Sequence, residues 1–284
     1  MIYIVSALCI LAIVFGIMGF MEQYMLEVNT IDIEHKVFCK DEKVIFFADF
    51  HNISNEKYIN IIIEKIKCID SKKIFICGDL IVGKKGYDNR YAVSFLEKIL
   101  DLNMHEVYFT YGNHESRLVE RGIEEQYYLY NYFEELEKTN ERFHLVNNKT
   151  IEIQLGGSVV CLSGILFEEA YYFKKIKPDI NVINEKIGMK QDKYTIVMCH
   201  NPDFFKYFSE YGADIVLSGH NHGGIVRLPV IGGLVSTSGK PFPKYSAGIY
   251  REKDTKMALT KGLGTHTIKF RLFNKPEIMV LKFK

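Results

Sequence analysis

Residues 215 to 224 read Ile215-Val216-Leu217-Ser218-Gly219-His220-Asn221-His222-Gly223-Gly224. The first three form an apolar run of the kind that makes a short buried strand. Two histidines at i and i+2 follow among three glycines, a pattern hard to reconcile with core packing. In a tight turn that spacing aims both imidazoles at one centre, or at two adjacent ones. Glycine permits a left-handed backbone and removes bulk that would crowd an ion. Imidazole suits Zn, Fe, Mn or Ni. Such a pair also arises by chance, so its meaning depends on what the rest of the chain supplies.

Four other apolar runs end in the same manner. Lys43 to Phe50 is a strongly buried strand that delivers Asp49 and His51, and Lys73 to Cys77 delivers Gly78-Asp79. Glu106 to Tyr111 runs into Gly112-Asn113-His114-Glu115, and Tyr194 to Cys199 into His200-Asn201-Pro202. Between them lie amphipathic helix patterns. One is capped at Ser54 or Asn55, with Ile59, Ile62, Ile63 and Ile66 on its apolar face. Others span Tyr91 to Leu100 and Glu124 to Lys138. Asn201 caps a further helix with Pro202 at its first position and Gly212 just past its end.

Tyr24 to Ile33 alternates as an edge strand would. Ile151 to Leu155 and Ser158 to Ser163 form a hairpin turned at Gly156-Gly157. The aromatics Tyr127, Tyr128, Tyr130, Tyr132 and Phe133 are at helical spacing and belong to core and boundary, with a lid or membrane contact as the alternative. Residues 167 to 189 fit either a cap over a site or a surface helix and loop. Beyond Leu234, short strands alternate with glycine-rich turns. The whole is an α/β pattern, in which sites collect beyond the carboxyl ends of the strands.

Each strand-end residue alone is an ordinary turn former. Five of the nine histidines at such positions are much harder to attribute to chance. Seven side chains (Asp49, His51, Asp79, Asn113, His200, His220 and His222) are too many for one tetrahedral zinc. They suit two divalent ions about 3.5–4 Å apart with a shared carboxylate, as in two-metal hydrolases. Two such cations outweigh two aspartates, so the site attracts an anion, and phosphate esters are the natural substrates. The absence of cysteine from the set excludes an iron–sulfur cluster.

The chain has 284 residues, 48% of them hydrophobic and 25% charged, with a net charge of +1. One large domain is expected. No basic block accompanies the site, so no dedicated nucleic-acid partner is expected. The six cysteines are scattered, mostly inside apolar runs, and read as buried thiols rather than a disulfide framework. Met1 to Met21 contains no charged side chain, enough for one membrane-spanning helix. Without a basic start it reads as an uncleaved anchor rather than a signal peptide.

The ordered blocks resemble those of the calcineurin-like metallophosphoesterases. The family's D-x-H, G-D, G-N-H-[ED], H and G-H-x-H stand here as Asp49-Phe50-His51, Gly78-Asp79, Gly112-Asn113-His114-Glu115, His200 and Gly219-His220-Asn221-His222. Gly262-Leu263-Gly264 and the stretch Arg271 to Ile278 are similar to the tail of the family's small membrane-anchored branch. Ala48 departs from a frequent Ser, and Ile225 from a frequent Gln. The resemblance implies a four-layer α/β/β/α sandwich with two divalent metal ions, Mn, Fe or Zn, at one end. It implies that Asp49, His51, Asp79 and His222 hold one ion and that Asp79, Asn113, His200 and His220 hold the other. His114 would be catalytic, with Asn113 and His114 binding substrate. Apart from the resemblance, Arg90, Arg117 and Arg121 lie near the ligand loops as candidates for phosphate contact, Arg117 the first of them.

The expected organisation is an anchor over 1–21, a juxtamembrane link and edge strand over 22–42, and a metallophosphoesterase domain over 43–284. The expected activity is that of a membrane-bound phosphodiesterase or pyrophosphatase acting on a lipid-linked or envelope-related phosphoester. The alternatives are a phosphomonoesterase or phosphoprotein phosphatase, and a catalytically silent metal-binding membrane module.

Overall fold

The computed structural model describes residues 1–174, 176–228, 230–236, 239, 241–265 and 268–284, with Phe173 described by its backbone. A helix α1 (Ile2–Glu22) leads into β1 (Glu27–Ile33) and β2 (Glu42–Phe47). Alternation follows with α2 (Glu56–Cys68), β3 (Lys73–Cys77), α3 (Arg90–Asp101), β4 (Glu106–Thr110), α4 (Asn113–Glu120), α5 (Tyr128–Thr139) and β5 (Phe143–Leu145). The hairpin β6 (Lys149–Leu155) and β7 (Ser158–Ile165) precedes α6 (Glu169–Phe173), α7 (Ile180–Ile187), β8 (Thr195–Cys199), α8 (Phe205–Tyr211) and β9 (Ile215–Ser218). The chain closes with β10 (Arg227–Leu228), β11 (Gly232–Gly233), β12 (Gly248–Glu252), β13 (Thr255–Leu259) and β14 (Glu277–Phe283).

Two six-stranded sheets stack face to face. Their orders are β1-β14-β2-β3-β4-β5 and β12-β13-β9-β8-β7-β6. Within them β2, β3, β4 and β5 run parallel, as do β7, β8, β9 and β13. Side chains alternate across each strand, and here both faces are covered. Val44, Phe46, Phe75 and Tyr108 meet Ile196, Met198, Ile215 and Leu217 between the sheets. Ile45, Phe47, Ile74 and Ile76 face outward onto α2 and α3, while Val197, Cys199 and Val216 face α7 and α8. This explains the continuous apolar runs, which are the mark of doubly covered parallel strands. The expected four-layer α/β/β/α architecture is what the chain adopts.

Local differences from the sequence expectations have local causes. The strand expected to reach Phe50 stops at Phe47, because Asp49, His51 and Asn52 turn left-handed (φ 56°, 48° and 50°). A helix, α4, begins at Asn113 where only a turn was expected. The Glu115 carboxylate accepts the Gly112 N–H at 2.8 Å and caps it. The helix expected over 124–138 divides into a 3-10 turn, Glu124–Gln126, and α5. Residues 167 to 189 hold two short helices. The cysteines are all free, but only Cys77, Cys161 and Cys199 are buried. Cys9, Cys39 and Cys68 are exposed, which corrects the expectation that most would be buried.

Helix α1 is long and apolar enough to cross a membrane by length and composition. Most of it is exposed, but its last two turns dock. The Phe15 ring meets Phe273 edge-on at 5.9 Å, and the Gly19 carbonyl accepts the Arg271 N–H at 3.0 Å. The Glu22 carboxylate accepts the Phe273 N–H at 2.6 Å.

The layer between sheet and helices rests on large aromatics, with Phe50 and Phe95 stacked at 4.0 Å and both buried. Truncating Phe95→Ala should cost about 3–5 kcal/mol, read as a lowered midpoint in denaturant unfolding of the detergent-solubilised protein.

Candidate metal centre

The carboxyl ends of β2, β3, β4, β8 and β9 meet at one end of the sandwich, and each supplies a polar side chain there. The structure gathers Asp49, His51 and His222 into one buried group and Asp79, His200 and His220 into another, with each group's ligand atoms within 4.8 Å of one another. A third grouping, His51, Asp79 and His114, joins them. His51 Nε2 lies 3.6 Å from Asp49 Oδ1 and 3.7 Å from Asp79 Oδ2. His200 Nε2 lies 3.0 Å from Asp79 Oδ2 and 3.6 Å from Asp49 Oδ1. His222 Nε2 is 3.4 Å from Asp49 Oδ1 and 3.0 Å from His51 Nε2.

The backbone is bent to make this possible. Asp49, His51, Asp79, His220 and His222 all have positive φ, between 46° and 72°. Non-glycine residues hold that conformation at some cost, and such positions cluster at functional sites. Glycine backs each carboxylate. A Cβ on Gly112 would stand 2.3 Å from Asp79 Oδ1, and one on Gly219 would stand 2.6 Å from Asp49 Oδ2.

Hydrogen bonds fix which ring nitrogen faces inward. His200 Nδ1 meets the Cys77 carbonyl at 2.6 Å and His222 Nδ1 meets the Gly264 carbonyl at 3.0 Å. In the neutral form of both rings the N–H goes to that carbonyl, which leaves Nε2 as the inward lone pair, the usual arrangement of a metal-binding imidazole. The Asp49 carboxylate accepts the His220 N–H at 3.0 Å across the sheets, and Asp79 Oδ1 accepts the His114 N–H at 2.8 Å.

The donor set fits cations. Among the described residues, the buried Asn113 Oδ1 has no hydrogen-bond partner, an expensive condition unless something else satisfies it. Burial opposes ionisation of both carboxylates, yet the neighbouring imidazoles outweigh it. His222 and His200 hold Asp49 below the usual range, and His200 and His114 do the same for Asp79. Burial would also depress His200, but Asp79 and Asp49 raise it to about 10. Burial and the adjacent His200 charge lower His220 to about 4. The His200 proton thus lies between the two carboxylates, and cation binding there must displace it.

His114 is set apart. Its Nδ1 accepts the Gly83 N–H at 3.0 Å, so a neutral ring carries its proton on Nε2. His114 Nε2 lies 3.0 Å from an Arg117 guanidinium nitrogen. Arg117 also bonds Glu169 at 2.9 Å. The structure brings Arg117 into the cavity with the clustered residues and leaves Arg90 and Arg121 outside its lining. Arg90 pairs with Asp88 and Arg121 with Glu169.

Three positioning residues were not legible as such. The buried Glu115 carboxylate accepts the N–H groups of Asp79 (2.9 Å), Leu80 (2.8 Å) and Ile81 (3.2 Å) as well as Gly112. It thereby ties the β3 loop to the β4 loop. Burial, then the nearby Asp79 charge, raises its pKa. Asn274 donates to the His222 carbonyl at 2.7 Å. The buried Arg271 guanidinium donates to the carbonyls of Lys261 (2.8 Å), Gly262 (3.3 Å) and Gly264. All three fall in the quoted blocks, but their work is done on backbone groups that no sequence spacing reveals.

Replacing Glu115→Gln puts an amide NH₂ against backbone donors. It should weaken metal affinity about 10–100-fold, measured by competition with a chromogenic chelator, while the far-ultraviolet circular dichroism stays that of the parent.

Comparison with known proteins agrees with this geometry. A family model described as calcineurin-like phosphoesterase matches residues 42–224. The uncharacterized metallophosphoesterase YkuE of Bacillus subtilis is 34% identical over 92 residues, which are 32% of this chain and 31% of YkuE. The uncharacterized metallophosphoesterase Cj0846 of Campylobacter jejuni is 27% identical over 266 residues, 91% of this chain and 63% of Cj0846. UDP-2,3-diacylglucosamine pyrophosphatase LpxG of Chlamydia muridarum is 28% identical over 149 residues, 50% of this chain and 42% of LpxG. The matched part is thus less than two thirds of the length of each of these relatives. The family match extends over more than half of the chain and contains every residue of the three clusters: this chain belongs to the calcineurin-like phosphoesterase family.

Proposed function

We propose that this protein is a metal-dependent hydrolase of phosphate esters, anchored by α1, that cleaves diesters or pyrophosphates of a lipid-linked substrate. The observation that carries the proposal is the cavity over the clustered histidines, of about 370 Å³. Its lining includes Asp79, Asn113, His220 and His222 together with His114 and Arg117. Pro241, Phe242 and Pro243 add apolar lining, and Lys244 lies among them. Such a cavity offers a place for a second, apolar arm on the phosphorus, which a small monoester would leave empty. The likeness to LpxG, whose name describes a pyrophosphatase of a diacylated sugar nucleotide, supports the same class of substrate.

In this reading Asp49, His51, Asp79 and His222 hold one cation and Asp79, Asn113, His200 and His220 the other, Asp79 being shared. Two such ions neutralise phosphoryl charge and lower the pKa of a water nucleophile. The chain's own residues do the rest. Arg117 and Asn113 orient the phosphoryl oxygens. His114, with its proton directed to Nε2 by the Gly83 bond, donates it to the departing oxygen as the phosphorus–oxygen bond breaks. We further propose the division into an anchor (1–21), a link with its edge strand (22–42) and a catalytic domain (43–284).

Removing metal with a chelator should abolish turnover of bis-p-nitrophenyl phosphate, and Mn, Fe or Zn should restore it. Faster hydrolysis of p-nitrophenyl phosphate than of the diester would overturn the diester assignment in favour of a phosphomonoesterase. Asp79→Ala should lose both metal and turnover, and survival of turnover would mean the centre lies elsewhere. For His114→Gln, kcat should fall about 10²–10⁴-fold on a substrate with an alkoxide leaving group. The loss should be much smaller with p-nitrophenolate, which leaves without a proton.

A further inference from the structure

We propose that the β10–β11 hairpin and Phe273 enter the same bilayer as α1, so that the active-site cavity opens at the membrane–water boundary. The proposal rests on the reading of α1 as a membrane-spanning helix. That helix has 21 residues, and at about 1.5 Å per residue it is roughly 30 Å long, the thickness of the hydrocarbon layer. No turn is spare. To span, the helix must be immersed almost to Glu22.

The last two turns of this helix are the part that docks on the domain. Phe15 lies seven residues before Glu22, about 10 Å along the axis, and there it packs on Phe273. The contact is fixed by the Arg271 and Phe273 N–H bonds to Gly19 and Glu22. Gly19 presses so closely that a Cβ would stand 2.2 Å from the Phe270 ring. Immersing α1 therefore carries Phe273 beneath the surface as well.

Phe273 does not go alone. With Leu228, Val230, Gly232 and Arg227 it lines a shallow depression, in which the Arg227 guanidinium turns inward to the Gly223 carbonyl and Ser246 hydroxyl. Beyond it Val230 is wholly exposed, Ile231 is 60% exposed and Phe242 is 67% exposed. Phe242 is tied to the hairpin through the Leu234 carbonyl at 2.8 Å. Exposed apolar patches of this kind mark contact surfaces. Ile225, Val230, Phe242 and Phe273 also hold left-handed backbone (φ 38°, 71°, 47° and 53°), which bulky residues rarely adopt.

This surface adjoins the centre on two sides. Phe242 lines the cavity over His220 and His222. A second cleft, of about 320 Å³, runs from Gln23 and Tyr24, just past α1, to His51. Exposed Lys244 and Lys269 flank the two openings, where cations favour anionic headgroups. An amphiphile could present its phosphoester to the centre without leaving the bilayer.

The chain contains no tryptophan, so an introduced one reports alone. Ile231→Trp and Val230→Trp would be placed singly in the full chain and reconstituted in phosphatidylcholine–phosphatidylglycerol vesicles, with and without bromine on the acyl chains. Leu11→Trp marks the span. Met104→Trp, on the loop before β4 at the far end of the sandwich, marks water. Turnover of bis-p-nitrophenyl phosphate confirms that each variant is folded. The expected result is blue-shifted emission and loss of most intensity in brominated vesicles for Leu11→Trp and for both hairpin variants, with none for Met104→Trp. Quenching at Leu11→Trp with neither hairpin position quenched overturns the proposal and leaves the anchor standing. An unquenched Leu11→Trp removes the anchor and the proposal together. A blue shift at the hairpin that is unquenched and lost on dilution overturns it in favour of contact with a second copy.

Discussion

The structure is organised around two carboxylates, Asp49 and Asp79, buried at adjacent strand ends and held ionised. Water cannot stabilise them there, so the protein must. Buried charge survives only with compensating charge or hydrogen bonds, and all five histidines in the clusters have ring nitrogens or backbone N–H groups bonded or within ion-pair distance of these two groups. The two aspartates belong to one sheet and His200, His220 and His222 to the other. The electrostatic requirement thus coincides with the line along which the sheets must meet. The inter-sheet core and the proposed metal centre are consecutive layers of one contact.

Holding so many polar groups at one point forces a cost onto the backbone. Five of the seven proposed ligands have left-handed φ, and the orphaned oxygen of Asn113 accepts nothing among the described residues. Groups behind the ligands offset this. Glu115 binds four backbone N–H groups from two loops, and Arg271 binds the carbonyls of the loop that orients His222. These two charged side chains are used as backbone clamps, each completing a turn that has no regular partner. The same arrangement keeps His200 protonated beside the two carboxylates when no cation is bound.

The clamp also joins the centre to the apolar helix. Arg271 bonds Gly19 of α1 through its N–H and Gly264 through its guanidinium, and the Gly264 carbonyl receives His222. Three successive hydrogen bonds separate the helix from a proposed ligand. A helix attached so directly fixes how the catalytic end of the sandwich faces whatever the helix enters. A flexible tether would leave that orientation free.

Much of the fold and site was legible in the residues. Apolar runs ending in Asp, Asn or His, at intervals filled by amphipathic helices, dictate an α/β chain with its polar groups beyond the strand ends, because strand period and burial are local properties. The termination of β2 before Asp49 and the start of α4 at Asn113 were not legible, since both depend on the conformation of turns that other segments stabilise. Nor were the roles of Glu115, Asn274 and Arg271, which act on main-chain atoms far away in sequence. The sequence by itself determined which side chains could gather and roughly where along the strands they stand. Residue spacing left open how His220 and His222 divide, a division implied only by the family resemblance. The tertiary structure groups His222 with Asp49 and His51, and His220 with Asp79 and His200. It alone decided that Arg117 faces the cavity while Arg90 and Arg121 do not. Those outcomes depend on the register of two sheets packed across a shared core, a long-range constraint that no spacing along one strand contains.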